Sequence, residues 1–489
     1  MRKRMVGLAM LPIVLATLSC GGGPAPNILQ PTMGSVTLLG GDAPACDVIS
    51  APVTISSATL TPAGGGSPVA LISSSAPVTV DFASLSDFLT FLTETQVPTG
   101  TYSTLTLQLT IQRLTVINTT VTPPAPVTFS LPSTTFTLTF TLNPAVVVSA
   151  TAPAVAQIDF NLLQSVQVSS AGQVTGVVNP TVQVSLPTPV VGTGFGEMND
   201  LAGIVQSVST SPAPGSSFAG SFTIPMPGIS GQTLTIQTTG TTLFDNASRL
   251  GGLVPGKSFV EVDAFLDSNG NVVAVEVDAE AEENPSLSEA AFEGVVTSVS
   301  QNSSGTPTQL TVYVRQLEPA LSGVTVPGLV TFNLTSSTAL GLFPARLNQG
   351  NLPLTLANLG PGQEVVVHAQ MLTASPLALN ANAVFLRVQS VLGSFVATPP
   401  PVIGSDGLTG GFTFAPCSTL LNSNPMTVFT FFTTAFPGVA GNGLAGLPSS
   451  SQLIVQGLVF YESNVVALNG MSAATPSVVE EASEVDQIQ

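Results

Sequence analysis

The chain is poor in the side chains that most catalytic and nucleic-acid-binding sites use. It has no tryptophan, one histidine and only 7% charged residues among its 489, with 27 acidic residues against 9 basic ones and a formal net charge of −18. A surface with so few cations cannot neutralise phosphates, so neither nucleic acid nor anionic lipid head groups are expected partners. A single imidazole leaves hydrolytic triads, proton shuttles and multi-histidine metal sites without their usual groups.

What the chain has instead is glycine, proline and enough apolar residues to bury several cores. Glycine (45) and proline (40) are abundant, and 44% of the residues are hydrophobic. Disordered chains are usually poor in Val, Leu and Phe, so this composition favours order. A chain of this length usually forms about three or four domains. We therefore predict an all-β, multidomain protein rich in Thr, Ser and Val.

Residues 1–19 have the pattern of an export signal. Basic residues 2–4 precede an apolar run from Met5 to Leu18, and small Ser19 follows. The apolar run is too short to cross a bilayer, which favours a removable signal peptide over a membrane helix. Residues 20–34 are rich in Gly, Pro and Asn and are predicted to form a flexible tether.

The end of this signal resembles the lipobox of bacterial lipoproteins. Ser19 and Cys20 occupy its last two positions, whereas Thr17 stands where leucine is usual. The resemblance implies that Cys20 is acylated and becomes the mature N-terminus, so that the protein contacts the membrane through lipid. Gly21 follows, rather than the aspartate that retains related lipoproteins at the inner membrane. We therefore expect an exported protein at the outer membrane or cell surface.

Residues 35–190 are predicted to form an antiparallel β-sandwich. Apolar residues alternate in short runs between Gly, Pro and Asn, which is typical of strands. A helix is predicted over Ser84–Thr93, where apolar residues recur at helical spacing and Ser84 with Asp87 has the pattern of a capping box. The predicted strands are Val36–Leu39, Val53–Leu60, Val78–Phe82, Leu105–Ile117, Val127–Leu131, Thr134–Leu142, Val146–Ala150, Val166–Val168 and Val182–Leu186.

The rest of the chain repeats itself. A Gly-x-Val opening at Gly203 recurs at Gly294, 91 residues later, and more weakly at Gly393, another 99 residues later. A Pro-Gly turn and strand close the first two units, at Gly256 and Gly362. Repeats of this length are tandem domains with their own cores rather than solenoid units. We predict small β-barrels or sandwiches over 197–289, 290–390 and 391–470, and a disordered acidic tail over 471–489.

These motifs resemble an uncharacterised class of domains found in bacterial lipoproteins. Asp42-Ala-Pro44, Val78-Thr-Val-Asp81 and Pro98-Thr-Gly100-Thr-Tyr102 resemble a prealbumin-like domain of unknown function. The Gly-x-Val opening and the Pro-Gly turn resemble a second domain of unknown function, a small β-barrel. The resemblance implies fold and location, and it brings no activity.

Two cysteines remain once Cys20 is assigned to lipid. Cys46 lies in the first domain and Cys417 in the last, 371 residues apart. In an oxidising compartment they can form a disulfide that joins the two ends of the protein, or they can stay as two buried thiols. The sequence leaves both alternatives open.

The only cluster of side chains with a chemical argument is acidic. Asn269 and Gly270 predict a two-residue hairpin turn between strands 258–266 and 271–280. Strand alternation then places the acids outward, with Asp263 opposite Glu276 and Glu261 opposite Asp278, and it places five valines inward: Val260, Val262, Val273, Val275 and Val277. Opposed carboxylates repel, so these four residues are a candidate calcium site. The alternative is a solvated acidic face that protects a sheet edge from aggregation.

Two further motifs are better explained by structure than by chemistry. His368 alternates within a strand on the same face as Glu364, and we expect it to face solvent rather than a catalytic site. Residues 441–446 match the Gly-x-Gly-x-x-Gly pattern of dinucleotide-binding sites, but Pro448 and three serines follow where that site needs a helix. No cofactor is therefore expected, with calcium as the one candidate ion.

Two functional hypotheses follow. The first is a non-catalytic, lipid-anchored cell-envelope protein that displays tandem β domains for binding, adhesion or structural spacing, with an unidentified envelope, protein or carbohydrate ligand. Carbohydrate sites usually stack sugars on aromatic faces, which a chain with three tyrosines and no tryptophan supplies poorly. The alternative is a hydrolase that works with carboxylates alone, such as a glycosidase, and the acids of the hairpin are its only local supply.

Overall fold

The protein is built almost entirely from strands, which confirms the predicted all-β, multidomain class. No helix in the described part of the chain is long and apolar enough to span a bilayer. The computed structural model describes residues 32–487 except 43–44, 86–88, 119–120, 122–123, 133, 170–173, 191–193, 213–214, 227–231, 246, 248, 280–288, 344–353, 375–376, 422–424, 449–450, 463–465, 469–470 and 474–476.

The first domain is a sandwich of two main sheets with two short helices. Its elements are β1 (Met33–Gly41), β2 (Val48–Ser50), β3 (Pro52–Pro62), β4 (Val69–Ile72), β5 (Val78–Asp81), α1 (Phe82–Leu85), β6 (Leu89–Pro98), β7 (Gly100–Ile111), β8 (Arg113–Asn118), β9 (Ala125–Ser130), β10 (Thr135–Val148), β11 (Ala154–Phe160), α2 (Leu162–Ser165), β12 (Val166–Val168), β13 (Val174–Val178) and β14 (Val182–Ser185).

One sheet has the order β14-β11-β1-β6, and the other has β10-β7-β3-β4 with β5 also paired to β3. Apolar residues from both sheets, among them Leu38, Leu60 and Leu107, form the core between them. The sandwich is not purely antiparallel, since β1 and β11 run parallel. The first strand, β1, begins at Met33, inside the segment predicted to be tether.

The predicted helix over Ser84–Thr93 is wrong. The helix spans only Phe82–Leu85, and β6 begins at Leu89 and pairs with β1 over nine positions. Isolated helices this short gain little from propensity, so pairing with a central strand decides the conformation. Of the predicted capping box, the Ser84 hydroxyl donates to the carbonyl of Asp81 at 2.7 Å, and Asp87 lies outside the described residues.

Three barrels follow the sandwich. Their strands are β15 (Glu197–Ile204), β16 (Ser207–Ser209), β17 (Gly220–Pro225), β18 (Thr233–Thr238), β19 (Leu243–Asp245), β20 (Phe259–Leu266), β21 (Val272–Ala279), β22 (Glu289–Gln301), β23 (Pro307–Glu318), β24 (Gly328–Asn333), β25 (Ala339–Phe343), β26 (Glu364–Ala374), β27 (Leu377–Val396), β28 (Val402–Ile403), β29 (Gly410–Pro416), β30 (Met426–Ala435), β31 (Gln452–Glu462), β32 (Val466–Leu468), β33 (Met471–Ala473) and β34 (Ser477–Gln487).

Each barrel closes in the same way. In the second barrel β24-β23-β22-β26-β27 form a ring, because β27 also pairs in parallel with β24. The third barrel repeats this with β27-β31-β34-β30-β29, and the first has β21 antiparallel to β20 and parallel to β18. The last strand of each unit therefore closes its barrel by pairing antiparallel with one earlier strand and parallel with at least one other.

The acidic tail predicted to be disordered is the closing strand of the third barrel. Strand β34 pairs with β31 over ten positions, and Ala482 and Val485 are buried in the core of that barrel. Burial of Ala482 and Val485 and pairing with β31 outweigh the unfavourable charge of the segment. The third unit thus extends past 470.

The second and third barrels share one continuous strand. The 20-residue β27 closes the second barrel with its first half and opens the third with its second half, so the predicted boundary at 390 falls inside a strand.

The opening glycines of the repeats allow neighbouring strands to approach closely. A Cβ at Gly294 would overlap the carbonyl oxygen of Tyr313, and a Cβ at Gly393 would overlap that of Ala415. The Pro-Gly turns at Gly256 and Gly362 both need positive φ, 77° and 88°.

A repeated threonine fastens the closing strand of every barrel. The hydroxyl groups of Thr242, Thr338 and Thr434 donate to the carbonyl oxygens of Ala274, Ala381 and Ala482, at 2.8, 2.8 and 2.7 Å. Each hydroxyl also accepts the backbone N–H three residues earlier. The three equivalent alanines lie on β21, β27 and β34, which independently marks β34 as the third closing strand.

Candidate functional site

The sandwich contacts all three barrels, and the meeting point is the candidate site. Cys46 of the sandwich and Cys417 of the third barrel form a disulfide. Beside it, one carboxylate oxygen of Asp47 accepts hydrogen bonds from the backbone N–H and the hydroxyl of Thr419, both at 2.7 Å. Burial raises the pKa of Asp47, and the two bonds from Thr419 lower it in part.

Contacts with the other two barrels extend this junction. The buried Thr115 and Tyr313 hydroxyl groups are 2.8 Å apart, and a small apolar cluster including Ile49 and Leu420 surrounds them. Leu39, Phe91 and Val155 of the sandwich join the core of the first barrel. The sandwich core therefore continues into the first barrel, and side-chain contacts join the sandwich to the other two barrels.

An ionic network lies buried at the same junction. Arg315 on β23 makes two hydrogen bonds to the carboxylate of Glu364 on β26, one of them 3.1 Å long, and lies 3.7 Å from Glu293. Glu293 also pairs with Arg387 at 3.7 Å. Burial lowers the pKa of Arg315, but Glu364, Glu293 and Asp81 of the sandwich outweigh it and raise the pKa above its usual value. These charges are paired with each other, as burial requires.

A cavity beside the disulfide is too small for a typical ligand. Its volume is ≈ 70 Å³, against about 300 Å³ or more for small-molecule sites. Its lining includes Asp47, Glu364, Gln389, Cys417 and Leu420. A second, open depression of ≈ 420 Å³ lies on the second barrel, and its described lining is hydroxyl-bearing and apolar, including Ser304, Thr306, Thr338 and Leu356. Neither cavity is lined by the acids of the hairpin.

The acidic hairpin has the predicted pairs but not the predicted exposure. Asp263 lies opposite Glu276 and Glu261 opposite Asp278, which confirms the register. All four are buried, with only 2 to 8% of their surface exposed, so the prediction that they face solvent is wrong. Phe259 lies on the same strand face, and its ring contacts His368 of the second barrel. This face therefore lies where two barrels meet.

Two irregularities that cancel each other explain the register. The loop holds three residues, because Asp267 pairs with Asn271 and only Gly270 has positive φ (82°). A bulge at Val275 then restores the predicted pairing of Asp263 with Glu276. Val272 and Ala274 consequently face the core, and the prediction that Val273 and Val275 do so is wrong.

The turn is built by hydrogen bonds and resembles a calcium loop only in sequence. The Asp267 carboxylate accepts the N–H groups of Asn269 and Asn271 at 2.8 Å, and the Asn271 side-chain amide as well. Among the described residues, no group of three or more His, Cys, Asp or Glu side chains is arranged to hold a metal ion. The calcium site at Glu261, Asp263, Glu276 and Asp278 stays a prediction.

His368 is half-buried between two aromatic rings rather than solvent-facing, which corrects the prediction from strand alternation. Its ring lies between Phe259 of the first barrel and Phe385, with centroid distances of 6.5 and 4.8 Å. Burial lowers the pKa of His368 to about 3. The imidazole is therefore neutral at physiological pH and acts as a packing group between two barrels.

The motif residues of the sandwich have structural roles. The Asp42 carboxylate accepts the N–H of Leu162 at the start of α2, at 2.9 Å. Asp81 accepts the hydroxyl of Ser50 at 2.5 Å and the N–H of Ala51 at 2.6 Å. The Tyr102 hydroxyl donates to the carbonyl of Pro98 at 2.8 Å, and Pro44 lies outside the described residues. These contacts fix loops to strands, and none of the three side chains is free for chemistry.

One regular surface of the sandwich has no counterpart among the sequence predictions. Threonines on β3, β7 and β10 lie directly opposite one another in rows, here named the threonine face: Thr54-Thr110-Thr135, Thr59-Thr106-Thr139 and Thr61-Thr104-Thr141. All nine are at least partly exposed, and no charged residue interrupts the rows. Threonine at every second position of Thr135–Thr141 was the available signal, but β-propensity alone also explains it.

Comparisons with known proteins match two parts of the chain to domains of unknown function and add no activity. Residues 33–176 match the model of a domain of unknown function (DUF4382), and residues 202–278 match that of another (DUF5666). No curated protein matches the chain. Among solved structures, Drosophila Unr CSD456 is 8% identical, with 59% of this chain and 96% of that chain covered and a TM-score of 0.13. A similarity this low has no bearing on fold or function.

Proposed function

We propose that the protein is a non-catalytic, lipid-anchored protein of the bacterial cell envelope that displays tandem β domains for binding, adhesion or structural spacing. The observation that supports this most is the use of its ionisable side chains. Arg315, Glu364, Glu293 and Arg387 pair with each other in the interior, and Asp47 bonds Thr419 across a domain junction. Side chains committed in this way hold domains together and are not placed to meet a substrate.

The anchor is the first part of this proposal to test. Cys20 lies outside the described residues, and its case rests on the basic, apolar and Ser19-Cys20 pattern of the sequence. Cells expressing the full chain are grown with a palmitate analogue, and the wild type is compared with Cys20→Ala. Labelling of the wild type alone is expected. Equal labelling of both chains would end the lipid-anchor proposal.

The exposed candidate for binding is the threonine face. Its methyl and hydroxyl groups form an uncharged, flat surface that suits a flat partner better than a small anion or cation. The full chain and a variant with Thr106→Lys and Thr139→Lys are compared in pull-downs from envelope extract and on a glycan array. A partner retained by the wild type and lost by the variant is expected. Binding by neither chain would favour the spacing role.

A further inference from the structure

Strand β10 is a long, uncharged edge of the sandwich. It pairs with β7 over Thr135–Thr141, and no other described strand pairs with its opposite side. Sheet edges in soluble proteins are normally shortened, charged or interrupted, because a free row of N–H and C=O groups invites another strand. Two other edge strands fit that rule: β4 and β14 have four residues each. In β10 the irregularity in pairing comes only after Thr141.

The exposed segment of this edge is a palindrome. Residues 135–141 read Thr-Phe-Thr-Leu-Thr-Phe-Thr, which is symmetric about Leu138. The threonines are exposed, and the Phe and Leu side chains between them are partly buried. An antiparallel strand read from either end therefore presents the same side chain at each position, on the same face of the sheet.

We propose that β10 pairs with β10 of a second copy of this chain, antiparallel and with a two-fold axis at Leu138. In this register Thr137 faces Thr139 of the other copy, Thr135 faces Thr141, and Phe136 faces Phe140. Threonine pairs of this kind already occur across strands in the sandwich, at 3.0 Å for Thr54 with Thr79 and 3.4 Å for Thr106 with Thr139. Aromatic and Thr-Thr cross-strand pairs both stabilise antiparallel sheets.

The symmetry also accounts for why the partner is a copy of the chain rather than a foreign strand. A two-fold contact uses the same surface on both molecules, so one palindromic strand satisfies both halves and the assembly closes at two. The two five-stranded sheets become one continuous sheet. The threonine face continues across the axis and doubles in area, with no like charges brought together.

A charge design tests both the contact and its register. All chains carry Cys20→Ala, so that lipid does not drive association, and mass is measured by sedimentation equilibrium at micromolar concentration. The otherwise unchanged chain is expected to be a dimer. Thr137→Lys with Thr139→Lys places lysine against lysine twice, and a monomer is expected. Thr137→Glu with Thr139→Lys places opposite charges together twice, and the dimer is expected to return.

Both designs change the same two exposed positions, so matched melting temperatures control for folding. A monomeric parent chain would overturn the proposal and leave the edge to a foreign strand. A Lys/Lys variant that remains dimeric would overturn it too, because another surface must then form the contact.

Cross-linking tests the two-fold axis directly. Cα atoms of directly opposed residues on antiparallel strands lie about 4.5–5.5 Å apart, within the range of a disulfide. A chain with Thr137→Cys mixed with a chain with Thr139→Cys is expected to form a covalent dimer on oxidation. Either chain alone is expected to give none, since each cysteine then faces a threonine. Cross-linking of one chain with itself in preference to the mixture would contradict the register.

Discussion

The domain junction and the threonine face differ in a way that reverses the usual arrangement of polar groups. At the junction, ionisable residues such as Arg315, Glu293 and Arg387 are buried. On the threonine face, nine partly exposed positions hold hydroxyl groups and no charge. Several of the few charged side chains therefore make internal contacts, whereas the threonine face presents uncharged hydroxyl groups to solvent.

The difference shows which region holds the molecule together and which is available to partners. A buried ion pair is costly to break, because the remaining charge has no solvent. An exposed threonine on a sheet contributes β-propensity and little else. Substitutions at the junction should therefore unfold the protein, whereas substitutions on the face should change what it contacts.

The largest effect is expected at the disulfide. Removing Cys46–Cys417 with Cys46→Ala and Cys417→Ala frees a loop of 371 residues. We expect a loss of about 5 kcal/mol in the free energy of unfolding, measured with urea. A reductant should lower the stability of the wild type to that of the double variant and leave the variant unchanged. Equal stability of both chains without reductant would mean that the junction holds without its covalent link.

The ionic network comes next. Arg315→Met leaves the mostly buried Glu364 without its cation and Glu293 with Arg387 alone, and we expect a cost of about 3–5 kcal/mol. Arg249→Met removes an exposed arginine and is the matched control, with less than about 0.5 kcal/mol expected. Urea unfolding of both variants compares the two environments directly. A similar small cost for both would contradict the structural role of the network.

The sequence predicts the strands of these domains better than the surroundings of their side chains. Alternation and turn residues located the repeats, the opening glycines and the opposed pairs of the acidic hairpin. They could not show that the outer face of that hairpin is covered, because alternation separates two faces without saying what packs on either. For the same reason, alternation predicted that His368 faces solvent. It could not show that Phe259 of a different barrel packs against the His368 ring.

The remaining errors have a common cause in long-range pairing. The segment Ser84–Thr93 has helical spacing, and the segment after 473 is acidic, yet Leu89–Thr93 and Ser477–Gln487 are strands because a distant neighbour supplies the hydrogen bonds. Local propensity does not contain that information. Bulges such as the one at Val275 also have no signal in this sequence, so the facing of residues beyond a bulge is lost.

The single histidine gives a clean pH test of the barrel interface. Because the pKa of His368 is lowered from about 6.5 to about 3, the unfolded chain binds a proton between those values and the folded chain does not. Its contribution to stability is complete above pH 6.5 and falls as pH drops toward 3. Between pH 7 and pH 5 we expect a loss of about 2 kcal/mol.

His368→Phe keeps the ring between Phe259 and Phe385 and has no proton to bind, so it is the matched variant. Urea unfolding at both pH values is expected to show a smaller pH dependence for the variant by that amount. In NMR spectra, the imidazole resonances of the wild type should also keep the chemical shifts of the neutral ring down to pH 5. Titration near pH 6.5 would place His368 in solvent after all.

The smallest effects come from one substitution made in two places. Thr434→Val removes a buried hydroxyl that joins the N–H of Phe431 to the carbonyl of Ala482, and leaving both groups unsatisfied is expected to cost about 1–3 kcal/mol. Thr139→Val removes an exposed hydroxyl whose contact with Thr106 is 3.4 Å long, and less than about 0.5 kcal/mol is expected. Both variants replace threonine with valine, so a difference between their free energies of unfolding in urea reports the difference between the two environments. If Thr338→Val costs as much stability as Thr434→Val, the threonine contact with the closing strand is a property of the repeat. A cost for Thr139→Val as large as theirs would remove the distinction between the two regions.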